Sequence, residues 1–384
     1  MASVHRPPWS ISGHGIGESE IRKEVFMART SLTTDGTTLK VGIKEADTPL
    51  EKVLVLLSRY KEASIAVVAI VLAIYFQVAS NGGFLSSQEL SVVLRDTGRF
   101  GLIAVAEVML MITGEIDISV GSTFSLAPYV MVLMSIQWGV PLIVSAIAGI
   151  LLGVLIGLVN GIITVRFRVP SLITTVGTLF LLQGVVVSIY NSQPIVAPVQ
   201  EPFNEIFGEN LYSPNDSVWS WHGLTAFTPF LWTLFIVAAM ALVLNRTTFG
   251  LHTIATGSNI VGAKEIGVRT DRIKVYNFMI AGAFAAAAGI VNTIQFASAD
   301  PLAGGPFLTL QAIAAAVIGG TSLLGGSGTP IGSLVGAFVV ATLNNGLVMI
   351  GAQATVSDIY LGAAIVLAMI LNVQVDRMRA KRRI

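Results

Sequence analysis

The sequence has no cysteine, which excludes disulfides and thiol chemistry and says nothing about compartment. It is also short of charge. Asp, Glu, Lys and Arg make up 12% of its 384 residues, about half the share usual in a soluble domain. A net charge of +1 gives no reason to expect nucleic acid. No G-x-x-x-x-G-K-[ST] phosphate loop occurs, so ATP binding of the P-loop kind is excluded. No metal-ligand cluster or nucleophile–base pair is evident, and the four histidines are scattered. The chain therefore reads as a non-enzyme with no cofactor of its own, and any energy it uses must come from another polypeptide.

What it does have is apolar length. Hydrophobic residues make up 53% of the chain and the mean hydropathy is +0.77, so most of the surface faces something other than water. The first 63 residues differ, with nine Lys/Arg, eight Asp/Glu and no long apolar run. Residues 1–50 read as a disordered cytosolic tail, with neither the apolar centre nor the cleavage site of a signal peptide. Met27 is an alternative start. Residues 51–375 read as a transmembrane permease domain and 376–384 as a basic cytosolic C-terminus. A bilayer core of roughly 30 Å takes about 20 helical residues. That length gives ten expected spans, centred on 64–79, 100–112, 123–137, 141–159, 171–189, 230–244, 276–294, 307–320, 331–351 and 358–373. The expected class is all-α and polytopic.

Basic residues set the direction, because Lys and Arg are retained on the cytoplasmic side. None occurs between Arg99 and Arg166, between Arg168 and Arg246, or between Lys274 and Arg377. With ten spans, the tail, Arg166/Arg168, the 246–274 loop and the C-terminus all fall on one face, so both termini are expected in the cytoplasm. The loop 191–225 carries four acids and no base and falls opposite. Arg95 and Arg99 fit this scheme poorly.

The segment Gly114-Glu115-Ile116-Asp117-Ile118-Ser119-Val120-Gly121-Ser122 interrupts two apolar runs. Carboxylates and hydroxyls at membrane depth are costly unless they face a polar cavity or a partner. The bland alternative is a loop at the membrane surface with solvated acids. GEIDISVGS resembles the GGIDLSVGS signature of ABC importer permeases of the ribose, xylose, arabinose and galactoside type, with Glu115 standing where that family has Gly. Three further blocks resemble the family in order. They are Asn160-Gly161 with Val169-Pro170-Ser171 and Thr174–Thr178, then Thr248-Phe249-Gly250 through Asn259, Ala263 and Gly267, then Ala314–Ser322 with Gly325–Gly328. Together they cover roughly 90–350 of the chain.

The residues also speak without the family. The 246–274 loop is the longest basic loop between spans, and its middle reads as a short helix with Ile260, Ala263 and Ile266–Gly267 on one side. Such a helix could dock on a partner or lie on the membrane. The resemblance favours docking on an ATPase, with Gly257, Asn259, Ile260, Ala263, Lys264, Glu265 and Gly267 as the coupling loop. Gly149, Gly153, Gly157 and Gly161 recur every four residues, as do Gly332 and Gly336 further on, a spacing that lets helix backbones approach closely in lipid. Asp117, Ser119, Asn160, Thr175, Thr178, Gln295, Asn344 and Asn345, with Asn292, are candidates for a translocation path. Each of the neutral ones reads first as an interhelical hydrogen bond and second as a cargo contact.

From the third span onward the apolar cores hold no ionisable residue, which suits an uncharged polyhydroxylated cargo better than ion coupling. The resemblance implies a type II importer fold with helices 2–5 and 7–10 as an inverted repeat. It also implies ATPase subunits, an extracytoplasmic substrate-binding protein, a second permease copy and monosaccharide import across a bacterial plasma membrane. The competing readings are an autonomous secondary carrier for a small neutral solute and a membrane-embedded enzyme.

Overall fold

The computed structural model describes residues 61–190, 193–198, 200, 203–207 and 227–353, with 359, 360, 362, 363, 366, 367 and 370. The expected N-terminal tail and basic C-terminus lie outside them. The described chain is almost wholly helical. In order come α1 (Lys61–Ala79), α2 (Ser87–Ile112), α3 (Val120–Trp138), α4 (Leu142–Arg166), α5 (Ser171–Tyr190), β1 (Ile195–Val196), α6 (Phe203–Phe207) and α7 (Thr228–Arg246). They continue with α8 (Thr248–Ser258), α9 (Ile260–Glu265), α10 (Thr270–Phe296), β2 (Ser298–Ala299), α11 (Pro306–Ile318) and α12 (Pro330–Met349). Nine of the ten expected spans coincide with helices among these. Within the tenth, the described residues are helical. The helices α3, α4, α5, α7, α10 and α12 are each long and apolar enough to cross a membrane.

Two spans differ from expectation. The apolar centre at 100–112 is the second half of a 26-residue helix that begins at a Ser86 cap, whose side chain accepts from the Glu89 amide. Arg95, Asp96 and Arg99 therefore lie within a helix and not in a loop. The eighth span is α11, only 13 residues or about 20 Å long, too short to cross alone. It starts inside the bundle. Gly305 takes a φ of 85°, open to glycine at little cost, and turns the chain into Pro306 at the first helical turn. There the start of α11 meets the start of α3: the Gly121 amide donates to Thr309 Oγ1 at 3.0 Å, and the Thr309 hydroxyl donates to the Ile118 carbonyl at 3.1 Å.

α2 is the hub. It packs against α7, α8, α10, α11 and α12, and every residue from Phe100 to Ile112 is buried. Around it, α4 and α10 make the most extensive helix pair. Along their seam a Cβ at Gly153 would come within 2.3 Å of the Gly282 carbonyl oxygen, and one at Gly157 within 2.1 Å of that of Phe278. At the ends of the stripe, Gly149 faces Ala127 and Ile290, and Gly161 faces Val275 and Phe278. Gly332 and Gly336 bring α12 against the Gly319 and Ala315 carbonyls of the α11 end. In lipid, where helices gain little from hiding apolar surface from each other, contact this close supplies the dispersion that holds them together. The outer sides of α4, α5 and α7 expose Leu151, Phe180, Leu181, Phe235 and Leu242. β1 and β2 pair antiparallel, Ile195 with Ala299 and Val196 with Ser298.

Candidate translocation and coupling site

The break between α2 and α3 folds into the bundle and builds a polar cluster. Asp117 is 1% exposed. Its Oδ1 accepts from the Ser119 amide at 2.8 Å and the Ser119 hydroxyl at 2.6 Å. Asn160 of α4 donates through Nδ2 to Ser119 Oγ at 2.9 Å and, more loosely, to Asp117 Oδ2 at 3.4 Å. Thr178 of α5 donates to Asn160 Oδ1 at 2.7 Å. Four of the expected path residues thus form one chain from the loop through α4 to α5. A carboxylate out of water is tolerable only with such donors around it, and the amide ends of α3 and α11 that meet beside Ile118 add favourable dipoles. For Asp117 and Ser119 the solvated-loop alternative is excluded. Thr175 lies near by on α5 but donates to the Ser171 carbonyl of its own helix.

Glu107, one helical step inside α2, was not singled out by the sequence reading. It is fully buried. Its Oε2 accepts from the Asp117 amide at 3.4 Å and its Oε1 has no partner among the described residues. A single acid inside the second apolar run was the available signal.

A second polar group lies further toward the start of α2. Asn345 of α12 donates to Asp96 Oδ2 at 3.0 Å, and Asp96 pairs with Arg99 at 3.2 Å. The Arg99 guanidinium lies 4.8 Å from the Phe100 ring centre, and that of Arg95 lies 5.3 Å from that of Phe296. Arg95 and Arg99 border a cavity of about 20 Å³ shared with Trp232, Asn292 and Gln295. These contacts explain why both arginines defy the loop-charge rule: they are held inside the bundle by a carboxylate and by aromatic faces. Gln295 and Asn345 therefore belong here, away from Asp117, and Asn344 is half-buried and joins neither group. Hydropathy begins the span at Phe100 and so leaves Arg95, Asp96 and Arg99 outside it, whereas the helix starts at Ser87.

The basic loop folds as α8, α9 and the start of α10. Asn259 caps α9, its Oδ1 accepting from the Gly262 amide at 2.9 Å, and Gly267 leaves it at φ 88°. Ala263 is buried against Val268 and Ile273, whereas Val261 is 63% and Ile266 78% exposed. Ile260, Ala263 and Ile266 do not share one face as expected, because residues six apart drift about 120° around a helix of 3.6 residues per turn. Lys264 pairs with Asp271 at 3.6 Å, and Glu265 is exposed beside it. Gly257 abuts the Ile112 carbonyl that ends α2, where an added Cβ would lie 1.6 Å from the oxygen. Lys274 pairs with Glu115. A charged cleft of about 310 Å³ lined by Glu115, Arg168, Lys264, Asp271 and Lys274 opens between these elements.

A helical membrane bundle with a broken, polar α2–α3 junction tied to an exposed basic segment has the features of a transport pathway. Residues 90–369 match the family described as the permease component of branched-chain amino acid transport systems, and the chain belongs to that family. It is a membrane permease subunit of an ATP-driven importer of the ABC class and not itself an enzyme. Among curated relatives, the xylose/arabinose import permease XylH of Sulfolobus acidocaldarius is 34% identical over 83% of this chain and 87% of its own. The autoinducer 2 import permease LsrC of Photorhabdus luminescens is 34% identical over 75% and 83%, and that of Salmonella choleraesuis 32% over 77% and 81%. No solved structure matches.

Proposed function

We propose that this permease imports a monosaccharide or a similarly small hydroxylated solute, and that α8–α9 is the element its ATPase pushes on. The observation that carries the coupling assignment is the pairing of exposure with attachment. Val261 and Ile266 present bare apolar side chains, while Gly257 and Lys274, on either side, contact the end of α2 and the loop after it. Apolar side chains in water beside a basic segment suit a groove on a partner. The cargo rests on relatives named for xylose, arabinose and autoinducer 2 import. The uncharged donors and acceptors of Ser119, Asn160 and Thr178 are consistent with it.

In this reading both termini and α9 are cytoplasmic, in a bacterial plasma membrane. An extracytoplasmic binding protein delivers cargo at the end that carries β1 and β2. A second permease copy, identical or paralogous, covers part of the apolar side of α4, α5 or α7, and lipid covers the rest. Residues 1–50 form a cytosolic tail, and no cofactor is required.

The test is co-expression with a sugar-importer ATPase from the same genome. Co-purification of both, with ATP hydrolysis that rises when binding protein and sugar are added, is the expected result and names the cargo. Val261→Ser with Ile266→Ser should abolish co-purification while leaving the permease monodisperse. If the chain alone moves solute down a gradient, or the double variant still captures the ATPase fully, the assignment fails.

A further inference from the structure

Two contacts tie the α8–α10 segment to the end of α2 and to the loop that follows it, and a third fastens the segment to itself. The first is backbone packing. The Gly326 amide donates to the Ile112 carbonyl at 2.8 Å, and Ser258 Oγ donates to the Gly326 carbonyl at 3.4 Å. Gly257 fills the remaining space against Ile112. The end of α8, the end of α2 and the 322–328 turn therefore meet with almost no side-chain volume between them. Such a contact cannot slide without opening a gap that the dense interior resists.

The second contact is the ion pair between Lys274, in the second turn of α10, and Glu115, two residues before Asp117. Both side chains are mostly out of solvent, at 16% and 14% exposure. An ion pair shielded to this degree holds better than an exposed one, and removing one partner strands the other charge. The third is Lys264 with Asp271, which fastens α9 to the first turn of α10. The Glu115 carboxylate is committed to its contact with Lys274.

We propose that Glu115 and Lys274 are positioning residues that make the cytosolic α8–α10 segment and the 113–119 loop one rigid body. A displacement of α9 then reaches Asp117, Asn160 and Thr178 without loss. The ion pair is a permanent joint of the transport cycle and not a latch that opens. This rests on the reading of α9 as the ATPase-driven element. Between Glu115 and Asp117 there is one residue, and Asp117 is bonded through Ser119 and Asn160 to α4 and α5. The joint therefore connects the pushed segment to two bundle helices in a few covalent and hydrogen-bonded steps. Without the pair, α8 still abuts Ile112, but the loop beyond Gly114 is free to lag behind.

The experiment uses the assembled importer, with its ATPase and binding protein, in proteoliposomes, and reads solute imported per ATP hydrolysed. ATP-dependent uptake by wild type sets the reference ratio, against which each variant is read. Glu115→Gln and Lys274→Gln should each lower the ratio by about fivefold, the scale of coupling between linked sites, while hydrolysis continues. The exchange Glu115→Lys with Lys274→Glu should recover the ratio to within about twofold, as a pairwise contact requires. An unchanged ratio in the single variants, or an exchange variant as uncoupled as they are, overturns the proposal. A second measurement does not depend on the charge variants folding well. Because the chain has no cysteine, Glu115→Cys with Lys274→Cys gives a unique thiol pair. Bridging it with a short bis(methanethiosulfonate) reagent, each arm of which forms a reducible disulfide with one thiol and releases methanesulfinate, should leave transport at or above the unbridged level. Transport that stops on bridging and returns with reductant would show that the contact must open, and would replace the joint with a latch.

Discussion

α2 and α5 invert each other. α5 reads as a clean apolar run, yet Leu172, Ile173, Phe180 and Leu181 are all more than half exposed, and what it buries is one stripe through Thr175, Leu179, Leu182 and Val186. α2 carries Glu89, Arg95, Asp96, Arg99 and Glu107, and its second half is buried on every side. In a soluble protein the charged helix would be the outer one. Where the surroundings are lipid, polar groups are driven inward to find partners, and the smoothest apolar helix is the one that can face out. The same inversion limits the sequence argument against ion coupling. It holds from the third span onward and not for α2, so membership in the importer family, and not scarcity of charge, decides against a secondary carrier.

Substitutions in the two helices sharpen the contrast. The largest difference is expected for glycine replacement. A Cβ at Gly98 of α2 meets the backbone of Pro229 and Phe230 at 2.9 Å, whereas one at Gly184 of α5 meets nothing within 4 Å. Gly98→Leu should cost about 3 kcal/mol, the upper end for overpacking, and Gly184→Leu should change stability of the single chain by no more than about 0.5 kcal/mol. Thermal unfolding of the purified permease in detergent measures both. Equal losses would mean that α5 is as enclosed as α2.

A smaller effect separates the two buried acids. Asp117→Ala leaves the Ser119 amide and hydroxyl without their acceptor and should cost about 2 kcal/mol. Glu107→Met removes a carboxylate with one weak contact and should be neutral or stabilising by about 1 kcal/mol, as for a poorly paired buried charge replaced by an apolar side chain of similar size. Loss of stability in Glu107→Met would mean that its second oxygen is bonded within the purified permease. Asp96 is less enclosed than either buried acid. Its bonds to Arg99 and Asn345 are partly solvated, so Asp96→Asn should cost about 1 kcal/mol, between the limits for exposed and buried pairs. A salt titration of unfolding separates that loss of charge from a change in packing.

Much of this was legible in advance because lipid imposes simple rules. Residues that need about 20 apolar positions to cross showed themselves as runs, and the glycines spaced by four marked a seam before any partner was known. The Asp117–Ser119–Asn160–Thr178 set could be nominated because polar residues at membrane depth are few. Their assembly could not be seen, since Asn160 and Thr178 are 43 and 61 residues from Asp117 and nothing local aims them at one another. Arg95 and Arg99 were misplaced for a related reason: hydropathy trims a helix where charge begins, and only Asp96, Asn345 and the rings of Phe100 and Phe296 show that the helix continues. On α9, the three-residue spacing of Ile260, Ala263 and Ile266 suggested one face, and packing selected Ala263 alone.

The amino-acid sequence by itself determined that the chain is a helical membrane protein of many spans, because apolar run length and charge distribution are local properties, and its ordered motif blocks carried the resemblance to importer permeases. The tertiary structure decided which polar residues meet, which helix is the hub, and how the α8–α10 segment is fastened to the signature loop. Those outcomes depend on contacts between residues up to 249 positions apart, and pairing over such distances is set by which helices pack closest, a choice made by the whole bundle at once.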